Sequence, residues 1–199
     1  MDAAGEVFAE RGFKGATVRE ICRKAEANVS AVNYHFGDKE SLYVATVRYA
    51  HGCAIAHLVA APPPADCATR EQKLHAFVAG FLRGILGAGK PAWFGKLMAR
   101  EIAEPTVALD HLVADNIRPR MAQMQAIVRE YLGPDAPADR VRLCASSVVG
   151  QILFYHFARP VLERLFPDHR LDEPAVDGLA RHVTAFSAAA LECLAERRA

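Results

Sequence analysis

The sequence predicts an all-α protein, on three observations. Ala, Leu, Glu and Arg, all good helix formers, dominate the long segments. Apolar residues recur there at spacings of three and four, and the alternation of a half-buried strand is nearly missing. Helix start signals (Ser, Thr, Asn, Asp) and stop signals (Gly, Pro) punctuate the chain at helical intervals.

Each element follows from its own residues. Ala4, Val7 and Phe8 give a first short helix an apolar face, and Gly12 is placed to stop it. Thr17 precedes a second helix beginning at Val18, and Glu20 completes the S/T-x-x-E pattern of a capping box. Val18, Ile21, Cys22 and Ala25 share one face of it. Asn28, a favoured N-cap, opens a third helix through His35. With only Glu26 and Ala27 before Asn28, the second and third helices must cross at a large angle. Gly37 ends the third, and Asp38 caps a much longer fourth that runs until the prolines Pro62 to Pro64. Further helices are expected over 68–87, over 91–103 with Pro91 in the first turn, and over 106–132 with a kink near Pro119. Two long ones close the chain, 138–165 with a disturbance at Pro160, and 173–196.

The 199 residues are 52% hydrophobic and 24% charged, a soluble globular composition. No run reaches the roughly 18 apolar residues of a membrane helix. The start, "MDAAGEVFAERG", has neither the basic nor the apolar region of a secretory signal, so a cytoplasmic protein is expected. Cys22, Cys53, Cys67, Cys144 and Cys193 are odd in number and form no C-x-x-C pair, which argues for reduced thiols. His111, His156, His169 and His182 have no metal-ligand spacing, so no metal or cofactor is expected. There is no G-x-S-x-G, no phosphate-cradling Gly loop and no H-E-x-x-H, and no catalytic residue is nominated. A net charge of +1 does not announce a nucleic-acid partner in bulk, so any such reading rests on local arrangement.

Locally the arrangement is distinctive. Three short helices, with a tight turn between the second and third, form the helix-turn-helix outline that places a recognition helix in a DNA major groove. From Arg11 to Lys39 six basic residues stand against three acidic ones, a net +3. The stretch "GFKGATVREICRKAEANVSAVNYHFGDKESLY" resembles the DNA-binding region of the TetR family of bacterial transcription regulators, over Met1 to about Tyr49. "LMAREIAEPTVALDHLV", the following "IRP" and "SSVVGQILFYHFARPVL" resemble the C-terminal regulatory domain of its CecR-like subgroup, over roughly 92–165.

The resemblance implies a helix-turn-helix DNA-binding domain at 1–49 and a helical effector-binding and dimerisation domain at 50–199. It places Thr17 and Arg19 at the front of the second helix, and Val29, Ser30, Ala31, Asn33, Tyr34 and His35 on the recognition helix facing DNA. Lys39 falls at the start of the fourth helix, against the phosphate backbone. Side-chain chemistry agrees: Arg pairs with guanine, Asn with adenine, and small apolar groups meet a thymine methyl. Tyr34, His35 and Lys39 suit phosphates.

This chain departs from the family pattern at Glu26, where Gly is usual, and at Asn33, where a phosphate-binding Tyr is usual. The basic arm common before the first helix is also missing, so either the native start lies upstream or affinity leans on the helices.

The resemblance further implies a double-stranded operator, a small-molecule effector and a homodimer. Phe81, Trp93, Met98, Arg100 and Tyr155, aromatic and apolar groups beside a stranded charge, are the expected effector pocket. Arg100 and Glu101 stay open between that role and pairing elsewhere. Ala145, Ser146 and Gly150 in one of the last two helices, and Ala185, Ala188 and Ala189 in the other, permit the close approach of a dimer seam. In the family this pair forms a four-helix bundle with its symmetry mate. An enzyme or small-molecule-binding protein with no DNA role is the competing reading, and it leaves Asn33 to Lys39 unexplained.

Overall fold

The computed structural model describes residues 1–59, 69–87, 91–168 and 173–196; Pro62 to Pro64, Cys67 and His169 lie outside them. The described residues are helical, with no strand. In order they form α1 (Asp2–Gly15), α2 (Val18–Lys24), α3 (Val29–Phe36), α4 (Lys39–Val59), α5 (Arg70–Leu86) and α6 (Phe94–Ala103). After these come α7 (Val107–Leu112), a π-helical turn at Val113–Ile117, α8 (Arg118–Leu132), α9 (Ala138–Phe157), α10 (Arg159–Leu165) and α11 (Glu173–Glu196). The chain divides into two compact units, Met1–Ala54 with Gly89–Arg118, and Ile55–Ala88 with Pro119–Ala199. The first is thus larger than the N-terminal helices alone, because α6 and α7 pack within it.

Its core gathers Phe8, Ile21, Leu42, Tyr43, Val47, Trp93, Leu97 and Leu112. The Tyr43 ring meets Phe8 edge-on at 4.8 Å and Phe13 at 5.1 Å. At Gly12 the backbone leaves helical geometry (φ 70°, ψ 173°), a left-handed turn that glycine makes without a Cβ penalty, so α1 is two pieces meeting at the expected stop. Arg100 of α6 reaches the break, with Nε donating to the Ala9 carbonyl at 2.8 Å and Nη2 to the Glu10 carbonyl at 2.9 Å. Trp93 lies against Gly5 so closely that a Cβ there would fall 2.3 Å from the indole ring.

Glu101 is fully buried. Its carboxylate accepts from Tyr43 Oη at 2.6 Å, from the Thr106 N–H at 2.8 Å and hydroxyl at 2.9 Å, and from the Leu109 N–H at 3.1 Å. It therefore caps the start of α7, whose first backbone donors have no partner inside the helix, and ties α4 to the same point. Burial, with the carboxylate alongside, pushes the Tyr43 phenol far above its ordinary pKa, so it stays a donor.

In the second unit α5 runs antiparallel to α11, as the pairs Arg70–Glu192, His75–Thr184 and Arg83–Asp177 show. Lys73–Glu130 joins the first turn of α5 to the last turn of α8, and Arg140–Leu194 with Gln151–Ser187 sets α9 antiparallel to α11. The core between them holds Leu74, Phe77, Val78, Leu82, Met124, Val128, Val141, Val148, Ile152 and Val183. Thr69 and Gln72 close a reciprocal capping box at the start of α5.

Three sequence expectations are refined. The Thr17 box is half made: the Thr17 hydroxyl accepts from the Glu20 N–H at 3.2 Å, while the Glu20 carboxylate turns to Arg11 at 3.6 Å. The kink near Pro119 is a π-helical turn immediately before it, where the wider ladder passes a residue that has no N–H to give. The disturbance near Pro160 is a 68° bend between α9 and α10.

Replacing Glu101 by Gln keeps the shape but leaves one acceptor oxygen where two now serve, so at least one buried donor loses its partner. Glu101→Gln is expected to lower unfolding stability by about 1–3 kcal/mol, read as a shifted denaturant midpoint with unchanged slope; a shift within error would show that the carboxylate is not what holds this junction.

Candidate nucleic-acid interface

The turn between α2 and α3 sets the crossing of the two helices. Glu26 takes a left-handed φ of 50°. The Ala27 N–H reaches the Cys22 carbonyl at 2.9 Å, and the Glu26 N–H reaches that of Arg23 at 3.4 Å, the paired bonds of a Schellman ending. Asn28 then starts α3, its side-chain oxygen accepting from the Ser30 N–H at 2.9 Å. Asp38 does the same for α4 through the Ser41 N–H at 2.8 Å, and that bond holds its carboxyl below the ordinary pKa.

No side chain of α3 is fully buried. Val32 and Phe36 rest half-covered on the first unit's core, which turns the remainder of the helix to solvent. Val29, Ser30, Ala31, Asn33 and His35 are exposed, and Tyr34 is 86% exposed. An aromatic group so placed adds nothing to the core. Thr17 and Arg19 are exposed at the front of α2, and Arg19 makes no ion pair among the described residues. Lys24 and Arg11, by contrast, are spent on Glu6 and Glu20.

Lys39 is placed differently from its expected backbone contact. It is half-buried, its ammonium donating to the Ala16 carbonyl at 3.2 Å and lying 4.6 Å from the centre of the Phe13 ring, so it ties the start of α4 to the end of α1.

The expected effector-pocket set has other tasks in part. Trp93 and Met98 belong to the first unit's core and Arg100 to the α1 break, which makes them fastenings of α6 and not the lining expected of them. Phe81 and Tyr155 pack half-covered on the second unit's core. On the first unit an open groove of about 530 Å³ is lined by Glu40, Ser41, Val44, Ala45, Arg48, Val107 and His111, with Arg48 paired to Asp115 at 2.6 Å.

Of the expected dimer residues, Ala145 and Ala188 are buried in their own unit's core, because they lie on the inward faces of α9 and α11. Ser146, Gly150, Ala185 and Ala189 are exposed. The outward faces also carry Leu143, Phe154, Phe157 and Phe186, each more than half exposed and outside the small-residue pattern. Periodicity would have found the three on α9: Leu143, Phe154 and Phe157 share one face with Ser147 and Gly150, at steps of four and three. Among the described residues no group of three metal-ligating side chains forms, and no single helix is long and apolar enough to cross a membrane.

Glycine at position 26 would occupy the same φ without the Cβ clash, so Glu26→Gly is expected to raise unfolding stability by about 1 kcal/mol. Thermal and denaturant midpoints measure it, and a loss would mean that the turn draws on the Glu26 side chain.

Residues 1–46 match the family described as bacterial regulatory proteins, tetR family. Residues 70–191 match the C-terminal domain of the HTH-type transcriptional dual regulator CecR. The chain is 30% identical over 171 residues to the CecR regulator of Shigella flexneri, covering 80% of this chain and 75% of that protein. It is 28% identical over 171 residues to the HTH-type transcriptional repressor Rv3405c of Mycobacterium tuberculosis, covering 78% and 88%. The fold is similar to that of the regulator FadR from Bacillus subtilis, solved in complex with stearoyl-CoA, with a TM-score of 0.63 at 19% identity over 94% of this chain and 95% of that one.

Proposed function

The chain belongs to the TetR family of bacterial transcription regulators, with a CecR-type C-terminal domain, and on that premise we propose that it is a cytoplasmic, ligand-responsive repressor that grips a near-palindromic operator as a homodimer. The observation that carries this reading is α3, a capped helix with no fully buried side chain that presents Asn33, Tyr34 and His35 to solvent. Arg19 and Asn33 read base edges, Val29 and Ala31 meet thymine methyls, and Thr17, Ser30, Tyr34 and His35 hold phosphates. Lys39 acts from behind by positioning α4.

One recognition helix covers a half-site, and two-fold operators are read by two-fold proteins whose helices lie about 34–36 Å apart. The outward faces of α9 and α11 supply the seam, now with Leu143, Gly150, Phe154, Ala185, Phe186 and Ala189 at its centre. An effector bound in the C-terminal domain, which we take to begin near residue 50, acts by population shift: it favours a state in which the two heads no longer match successive major grooves. The α6–α7 region carries Arg100 and Glu101, the groups that hold α1 and α4, and a change of state there alters the placing of α3. FadR's acyl-CoA complex is a precedent for a ligand in this fold. This reading needs no catalytic residue.

Arg19→Ala and Asn33→Ala are each expected to weaken operator binding by about 1–3 kcal/mol and to relax preference at particular base pairs, measured by anisotropy on duplexes selected from genomic fragments. Variants that keep the parent's affinity and footprint would remove α3 from the interface.

For the seam, Gly150→Arg with Phe186→Glu is the informative pair. Both positions are exposed, and a Cβ on Gly150 meets nothing within 4 Å. The double variant should be a helical monomer by light scattering and circular dichroism, with little operator affinity; persistence of the dimer would place the interface elsewhere.

A further inference from the structure

The antiparallel pairings of the second unit bring the C-terminal half of α5, the first turn of α8, the second half of α9 and the start of α11 to one end of the bundle. The opposite end is closed by Arg70–Glu192 and Lys73–Glu130 above buried Tyr131 and Leu132. Among the described residues the first end carries one such pair, Arg83–Asp177. Phe81, Ile85, Met121, Val149, Tyr155 and Leu179 pack on the core there but are only half-covered.

Arg120 lies in the first turn of α8 and so belongs to this end. On α8 it precedes Met124, Ile127 and Tyr131 by four, seven and eleven places, which puts it on the helix face that supplies buried core residues one turn further on. Helical side chains lean toward the N-terminus, so the guanidinium extends out of the core toward the open end. It is half-buried, yet among the described residues it makes no ion pair and no side-chain hydrogen bond. Arg83 of α5 differs in already holding Asp177 at 2.8 Å. Burial lowers the Arg120 pKa, and guanidinium remains charged all the same. A core-facing position given to a cation with no partner among the described residues costs stability that Met or Leu would not.

From this juxtaposition we infer that Arg120 receives the anionic head of the effector, a carboxylate on a hydrocarbon body, whose apolar part covers the half-exposed side chains at the open end of the bundle. The inference rests on the effector-responsive reading above and names the ligand's chemical class. Planar guanidinium and carboxylate match in a bidentate pair, and a low-dielectric surround strengthens it. The apolar rim supplies the rest of the affinity through burial.

The test compares saturated fatty acids of eight to sixteen carbons, below their micellar concentrations, with the alcohols of equal length, on the full-length protein and on Arg120→Met. With the parent, an acid should raise the melting midpoint and loosen operator binding, and the matching alcohol should bind about tenfold or more weakly. Arg120→Met should melt higher than the parent without ligand, because the uncompensated charge is gone, and should treat acid and alcohol alike. A purely structural Arg120 would give the opposite sign, and an Arg120→Met protein that melts lower overturns the inference. So does equal binding of acid and alcohol by the parent, or the absence of any response to the acids. If a panel of neutral apolar compounds still shifts melting and operator affinity together, the effector reading stands and only the anionic head falls; if no compound in either set does, both fall.

Discussion

A carboxylate with no access to water has to be answered donor by donor, and Glu101 imposes that condition on the first unit. Its partners come from α4, from the α6–α7 connection and from the backbone of α7. None can move alone, because a buried acceptor that loses a donor is left with its desolvation cost unrelieved. Tyr43, the α4 partner, also carries the aromatic contacts to Phe8 and Phe13 of α1. The polar junction and the apolar core of the helix-turn-helix unit therefore meet in one side chain, and the packing of α1 to α4 presupposes α6 and α7.

The break in α1 works the same way from the other side. A left-handed glycine frees carbonyls that a continuous helix would have used, and Arg100 takes up two of them. Adjacent residues on α6 thus fasten two different helices of the DNA-binding unit, Arg100 by donating and Glu101 by accepting. The Trp93 indole against Gly5 adds a third attachment, one that tolerates no side chain on α1.

Local signals made the helices legible from sequence. Thr17, Asn28 and Asp38 cap where expected, Gly12 breaks where expected, and α11 spans the expected range, because caps and glycine geometry depend on neighbours a few residues away. The outward-facing set of α3 was legible for the same reason: a short motif fixes which face of the helix looks to solvent. What escaped were partnerships across long separations. Arg100 and Glu101 could be seen as charges beside apolar neighbours, but their partners lie 90 and 58 positions away, and no periodicity within one helix points to them. Ala145 and Ala188 were placed in the seam because small residues suit both a core and an interface, and only the bundle decides which way each faces.

The lightly anchored α3 has an evolutionary consequence. Its outward side chains contribute little to the core, and exposed substitutions of that kind usually change stability by no more than about 0.5 kcal/mol. Selection can therefore rewrite positions 29–31 and 33–35 without first repairing the fold, while the frame of α1, α4 and α6 tolerates little change. Under the proposed reading of α3, duplicated copies of such a gene acquire new operators one side chain at a time, each intermediate still a folded protein, and the outward face drifts far faster than the scaffold that carries it.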